Sequence, residues 1–165
     1  MTNDVLFRTA RMSGRAPHEG AAPLYAVLFG PAEGPSRLSR DIQDWTRHQV
    51  APWVLSHAGN PVGVAGFRIG FGNDGLELSF HFLPEVWGQG LASEFVQAAL
   101  DYAHTTLRET CFFALVELDN VASIRVLEKA GFVQEAQEPL PTNARDITAV
   151  DLASRPGLWR QCVAG

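Results

Sequence analysis

The segment LELSFHFLPEVWGQGLASEFVQAALDY, Leu76 to Tyr102, decides how the rest of the chain is read. Its first eight residues, Leu76 to Leu83, are rich in apolar side chains and stop at Pro84, which is the pattern of a strand. Trp87-Gly88-Gln89-Gly90-Leu91-Ala92 follows as a tight turn. Leu91, Phe95, Ala98 and Tyr102 then recur at i, i+4, i+7 and i+11, with Glu94, Gln97, Asp101 and His104 on the other side. That spacing predicts an amphipathic helix. A strand, a glycine turn and a helix aim unpaired N–H groups and the positive end of a helix dipole at one point. Such a point binds phosphate, and two glycines let a ligand reach the backbone without meeting a Cβ. Glycines in such turns often serve structure alone, so the segment needs a second signal. A dinucleotide fingerprint would need glycine at 93, where Ser93 stands, and the chain has no Gly-Lys-Ser/Thr for a P-loop. The expectation is a phosphate cradle of another kind.

Composition sets the outer bounds. A chain of 165 residues with 46% apolar and 19% charged residues has the size and content of one folded domain. The net charge of −5 argues against nucleic acid as a partner, because phosphate backbones need a basic face. It favours, weakly, a cationic substrate. Cys111 and Cys162 stand alone, in neither a CxxC nor a metal spacing, which predicts a cytoplasmic protein without disulfides or a metal site. No signal peptide is expected after the early Asp4, and no run approaches the ~20 apolar residues of a membrane span.

The flanking chain supplies the remaining elements. Val5 to Met12 reads as a first strand. Pro23 suits a helix start, and Leu24, Val27 and Leu28 give it a short apolar face before Gly30. Pro31 to Ser36 reads as a loop, and Leu38, Ile42 and Trp45 mark a second helix ending before Pro52. Trp53 to His57 and Val62 to Phe71 are strands around the turn Ala58-Gly59-Asn60-Pro61; Gly72-Asn73-Asp74-Gly75 is a hairpin turn into Leu76. Cys111 to Leu118 is an apolar run of the kind that forms a buried strand reached by a helical crossover. Asn120 caps a helix with Ile124, Leu127 and Ala130 inside, and Gly131 stops it. A strand at Phe132 to Glu138, a loop at Pro139 to Arg145 and a last strand at Asp146 to Leu152 close the chain. A meander, a βαβ crossover and flanking helices make one mixed α/β domain over residues 1–165.

The second signal is Asp119-Asn120-Val-Ala-Ser123-Ile-Arg-Val-Leu127-Glu128-Lys129-Ala-Gly131-Phe132. Together with Pro84-Glu85-Val-Trp87-Gly88-Gln-Gly90-Leu-Ala92 it resembles the GNAT N-acetyltransferase superfamily, and within it the RimJ/RimL branch that acetylates ribosomal-protein N-termini. Arg145-Asp146 adds to the likeness, which covers about residues 60 to 155. The resemblance implies a central, mixed but mostly antiparallel sheet of about six or seven strands with about four helices. It also implies a splay between strands 76–83 and 111–118. Acetyl-CoA is the implied cosubstrate, with no metal. The turn Trp87, Gly88, Gln89, Gly90, Leu91 and Ala92 would hold the diphosphate. Phe82 and Leu83 would pair with the pantetheine arm, and Asn120 and Ser123 would lie near its thiol end. Glu85 stands where other family members carry a phosphate-binding arginine or glutamine, so no such role is carried over to it.

The implied reaction is attack of an amine on the thioester in a ternary complex, which needs a base, an oxyanion donor and a proton for the thiolate. The acceptor would be a peptide N-terminus or a small molecule, in the cytoplasm, with no membrane partner and with homodimer formation open. Alternation puts Glu77, Ser79 and His81 on one strand face. Glu77 is the first candidate base, with Glu117, His81 or a water chain as alternatives. Ser123 is the candidate acid. The acceptor would lie among residues 23–50 and 139–145, with Trp45, Trp53, Asp41 and Asp44 as candidate lining; both aspartates also fit a plain polar helix face. A non-catalytic acetyl-CoA-binding module is the alternative function.

Overall fold

The computed structural model describes residues 4–70, 75–135 and 157–162. Within them the chain forms β1 (Phe7–Arg8), β2 (Met12–Arg15), α1 (Ala22–Phe29), α2 (Glu33–His48), β3 (Trp53–His57), β4 (Asn60–Ile69) and β5 (Leu76–Phe82). Next come α3 (Leu91–Tyr102), β6 (Cys111–Val116), α4 (Val121–Lys129), β7 (Val133–Gln134) and β8 (Gly157–Cys162). The eight strands make one sheet in the order β1-β2-β3-β4-β5-β6-β8-β7. Only β5 and β6 are parallel; every other neighbour pair is antiparallel.

One face of the sheet is covered by α3 and α4, whose Phe95, Val96, Ala99 and Leu127 pack with Phe7, Trp53, Phe67, Leu78 and Phe112. The other face carries α1 and α2, with Leu24, Tyr25 and Leu38 against Val54 and Val64. Gly34 lets the two helices touch: a Cβ there would lie 2.8 Å from the carbonyl oxygen of Tyr25. Helix α4 ends as its sequence predicts. Gly131 sits at φ +91°, its N–H bonds to the Glu128 carbonyl, and the Phe132 N–H returns to the Leu127 carbonyl at 3.0 Å. This is the Schellman arrangement.

The splay is visible in the register. β5 and β6 pair only at Leu76 with Phe112 and at Glu77 with Phe113. Beyond that point β5 stays with β4 as far as Phe82, while β6 stays with β8 as far as Val116. Each strand keeps its antiparallel partner and gives up the parallel one, so the sheet opens as two leaves hinged at Glu77 and Phe113.

Four expectations change. Val5 to Met12 is not one strand: the Thr9 N–H bonds to the Met12 carbonyl at 2.9 Å, folding the segment into the β1–β2 hairpin. Residues 33–36 are helical, not loop, because Pro35 falls in the first turn of α2, where its missing N–H costs nothing. A strand at Gly157–Cys162 brings the count to eight. Finally, Cys111 and Cys162 are joined by a disulfide, contrary to the expectation of none. They are 51 residues apart, but β8 pairs with β6 in the register that sets them directly opposite, with Cα atoms 4.2 Å apart. Sequence spacing carries no trace of that register. The cysteine argument for a reducing compartment falls with it. The turn at 72–74, the strand expected at 146–152, the loop at 139–145 and Arg145-Asp146 lie outside the described residues. So does the end of the strand expected at 132–138, of which Val133–Gln134 is seen.

Candidate active site

The turn before α3 is built from backbone. Gly88 and Gly90 both sit at φ +76°, and Gly90 is the N-cap. A Cβ on Gly88 would meet nothing within 4 Å, so the turn is open on its outer side. No side chain caps α3, and the N–H groups from Gly88 to Ser93 find no acceptor among the described residues. Trp87 anchors the turn by donating Nε1–H to the Phe82 carbonyl at 2.8 Å, while most of its ring stays exposed. Gln89 Nε2 reaches the Glu85 carbonyl at 3.3 Å. Leu91 is buried and seats the first turn of α3 in the core. The result is a set of unpaired donors at a helix start, open to solvent, which is what an anionic diphosphate requires.

The β1–β2 hairpin braces this turn. Thr9 Oγ1 donates to Glu94 Oε2 at 2.5 Å, and Arg11 bonds the same carboxylate through Nε at 2.8 Å and its backbone N–H at 3.0 Å. Burial alone would raise the Glu94 carboxyl, but these hydrogen bonds and the guanidinium charge outweigh it and hold the group below its ordinary value. Arg11 also comes within 3.6 Å of where a Cβ on Gly90 would stand.

The splay offers the second set of backbone groups. Leu83 N–H bonds to the Val62 carbonyl at 2.8 Å, which fixes the phase of the β4–β5 ladder. By alternation, Phe80 and Phe82 turn their N–H groups toward the side that β6 has left. Leu83 does not: its N–H serves β4, and its carbonyl accepts from Val86 at 3.1 Å. Of the pair Phe82 and Leu83, only Phe82 presents a free donor to the gap, and Phe80 joins it.

On the α1–α2 face the splay widens into a cleft of about 450 Å³. Glu77, Ser79 and His81 line it from β5, as alternation predicts, with Leu115 and Glu117 from the β6 end and Asn120 and Ser123 from the start of α4. Asn120 Oδ1 accepts the Ser123 N–H at 3.2 Å and so caps α4, leaving its amide NH₂ and the Ser123 hydroxyl unspent among the described residues. Glu77 and Glu117 have no ion-pair or hydrogen-bond partner among the described residues. His81 packs edge-on against Phe29 at 4.9 Å. Burial, then the charges of Arg37 and Arg68, push its pKa down to about 4. The ring is therefore neutral near pH 7 and does not titrate in the range expected of a histidine base.

On the opposite wall Asp44 lines the cleft, as expected of residues 23–50, whereas the arginines beside it were not foreseen. Asp41 is fully buried, accepts Tyr25 O–H at 2.7 Å, and holds the Arg68 guanidinium. Burial and the Asp41 charge push the Tyr25 phenol far above its ordinary range. Arg68 itself lines the cleft, opposite Glu77 in the β4–β5 register, with Arg37, Arg40 and Asp44 beside it from α2. Asp41 is thus an anchor beneath the wall, not part of a plain polar face. Trp53 belongs to the core, stacked on Phe7 at 4.2 Å, and neither it nor Trp45 reaches the cleft. The arginines had no local signal. Their convergence depends on α2 meeting β4 at the Asp41–Arg68 pair, which no spacing within α2 reveals.

Residues 26–133 match the model of the acetyltransferase (GNAT) domain. The chain belongs to the GNAT acetyltransferase family. An uncharacterized N-acetyltransferase, p20, of Bacillus licheniformis is 32% identical over 83 residues, covering 50% of this chain and 47% of that one. The chain thus matches about half the length of that relative. The acetyltransferase of Agrobacterium tumefaciens str. C58 superposes with a TM-score of 0.76 at 19% identity, covering 99% of this chain and 96% of that one. The microcin C7 self immunity acetyltransferase MccE, solved with acetyl-CoA and AMP, gives 0.72 at 13% identity, with 93% of both chains covered. These structures share the GNAT fold. The family carries acetyl transfer from acetyl-CoA, and the orphan N–H groups and the open splay of this chain fit that cosubstrate. No helix among the described residues is long and apolar enough to cross a membrane.

Proposed function

We propose that this GNAT protein transfers the acetyl group of acetyl-CoA to a primary amine by direct attack in a ternary complex. We place it in the RimJ/RimL-like branch on the strength of the Pro84–Ala92 and Asp119–Phe132 motifs. The observation that carries the reading is the opening of the sheet immediately beyond Glu77, so that a partnerless carboxylate stands at the edge of the gap.

Bound acetyl-CoA would supply the activated acetyl group. Gly88, Gly90, Leu91 and Ala92 would hold its diphosphate through their N–H groups. Phe80 and Phe82 would pair with the pantetheine arm, and the Asn120 amide would meet its thiol end. Glu77 would take the proton that the attacking amine loses, directly or through one water. Ser123 Oγ–H would donate to the departing sulfur and relay to it a proton from solvent, so that the hydroxyl is restored as the thiol forms. Glu117 is the second candidate base. His81, held neutral, contributes shape rather than proton transfer.

The test is thiol release from acetyl-CoA against a panel of peptides, amino acids and other amines, with Glu77→Gln and Ser123→Ala alongside. Each substitution should lower the turnover number far more than coenzyme affinity. Turnover equal to wild type would remove the role from that residue. Tight coenzyme binding without turnover on any acceptor would favour a non-catalytic acetyl-CoA-binding module instead.

A further inference from the structure

The cleft is polarised. Its α2–β4 wall carries Arg37, Arg40 and Arg68 with Asp44 in the lining, and Glu33 and the buried Asp41 pair with two of these arginines; its β5–β6 wall carries Glu77 and Glu117. Two of the arginines are fixed in place. Arg68 is tied to the buried Asp41, which is itself held by Tyr25. Arg37 lies over the Phe29 ring at 4.4 Å and bonds Glu33 at 2.8 Å, its i−4 neighbour on α2. Arg40, three residues on and on the same side of the helix, has no partner among the described residues. Burying a carboxylate such as Asp41 is costly unless a cation is held against it. Here that arrangement fixes a guanidinium at the cleft wall. Arg68 and Arg37 are thus held by protein carboxylates, which leaves the exposed Arg40 as the guanidinium open to an incoming anion.

We propose that the acceptor is a small amine bearing an anionic group, a carboxylate or a phosphonate, which Arg40 and Arg37 clasp while the amine faces Glu77. The inference rests on the acetyl-transfer reading above and adds the substrate class. It departs from the cationic substrate that the net charge of −5 favours, because the local wall rather than the whole chain faces the ligand. A polyamine needs carboxylates at its far end, and Asp44 is the one lining carboxylate this wall offers among its arginines. The cleft volume of about 450 Å³ suits a small molecule.

The experiment pairs a ladder of unbranched amino acids with their primary amides, with aminoalkylphosphonates of equal length, and with a diamine. Each is assayed by thiol release under saturating acetyl-CoA and by calorimetric binding in the presence of CoA. The acids or phosphonates should exceed the matched amides in kcat/KM by about tenfold or more, the worth of one desolvated charged hydrogen bond. Which of the two wins identifies the anion. Arg40→Gln should erase that preference by raising KM for the charged acceptors, and Arg40→Lys should restore part of it. CoA affinity, measured on the same samples, reports that the variants are folded. Transfer that runs equally well on amides, or better on the diamine, overturns the inference and leaves the acetyltransferase reading standing. CoA-dependent binding of the acids, lost in Arg40→Gln but without thiol release, overturns the catalytic reading and keeps the anion site. The absence of both binding and preference overturns the anion site.

Discussion

The glycine turn before α3 and the arginine wall of the cleft are built from different materials. The turn is backbone: glycines at positive φ, orphan N–H groups and a helix start, all within residues 84–94. The wall is side chain, drawn from α2, β4 and α1, with its anchor buried between them. A backbone site is specified locally and survives most substitutions outside its glycines. A side-chain site is specified by packing, and removing one member strands the others.

That contrast is broken most forcefully at Arg68. Arg68→Ala leaves the fully buried Asp41 charged and without its cation, a loss on the order of 3–5 kcal/mol. Urea unfolding should show a matching fall in stability. Arg68→Ala as stable as wild type would mean that the wall has no such anchor. Glu77→Gln should do the reverse, with the turnover number down about 10²-fold or more and both the unfolding midpoint and CoA affinity nearly unmoved. A third substitution, Gly90→Val, tests the turn. A β-branched residue at φ +76° is strained by about 1–2 kcal/mol or more. Relief requires the donors to move, so the Kd for CoA should rise about tenfold, while the unfolding cost stays well below that of Arg68→Ala. Unchanged CoA binding in Gly90→Val would separate the turn from the diphosphate.

The same contrast explains what could be read without coordinates. The turn, the capped start of α4 at Asn120 and its Gly131 stop are short-range patterns, and they appear where spacing puts them. So do Glu77, Ser79 and His81 on one face, because a strand alternates whatever surrounds it. The splay followed from the family likeness, and its hinge at Glu77–Phe113 needed the register. Asp41 shows where reading along the chain stops. On α2 it looks like one more solvated carboxylate beside Asp44, yet one faces Tyr25 and Arg68 and the other faces the cleft. The Cys111–Cys162 bond is hidden for the same reason, since only the β6–β8 register sets the two thiols opposite each other. His81 is a milder case: its place was legible, but its charge state depends on burial and then on the charges of Arg37 and Arg68, all of which come from other elements.

The smallest effect divides the two regions by pH. The His81 pKa is about 4 in the folded chain against an ordinary value of 6.5, so between those values the unfolded chain binds more protons. Stability contributed by neutral His81 is complete above about pH 6.5 and is lost as the pH falls toward 4. Glu94 is held below its ordinary value of 4.5. Its contribution is present above that value and is lost as the pH falls through its lower folded value. The cleft should therefore weaken first on acidification and the brace of the glycine turn later. Both groups see solvent, and surface pairs such as Arg11–Glu94 are weak, so each change is modest. The measurement is the urea midpoint against pH for wild type, His81→Gln and Glu94→Gln. His81→Gln should flatten the curve between pH 6.5 and 4 and leave the lower limb alone; Glu94→Gln should flatten only the limb below 4.5. If His81→Gln keeps the wild-type slope in its window, neither burial nor the charges of Arg37 and Arg68 hold the ring neutral, and the cleft and the brace of the glycine turn respond to acid as one.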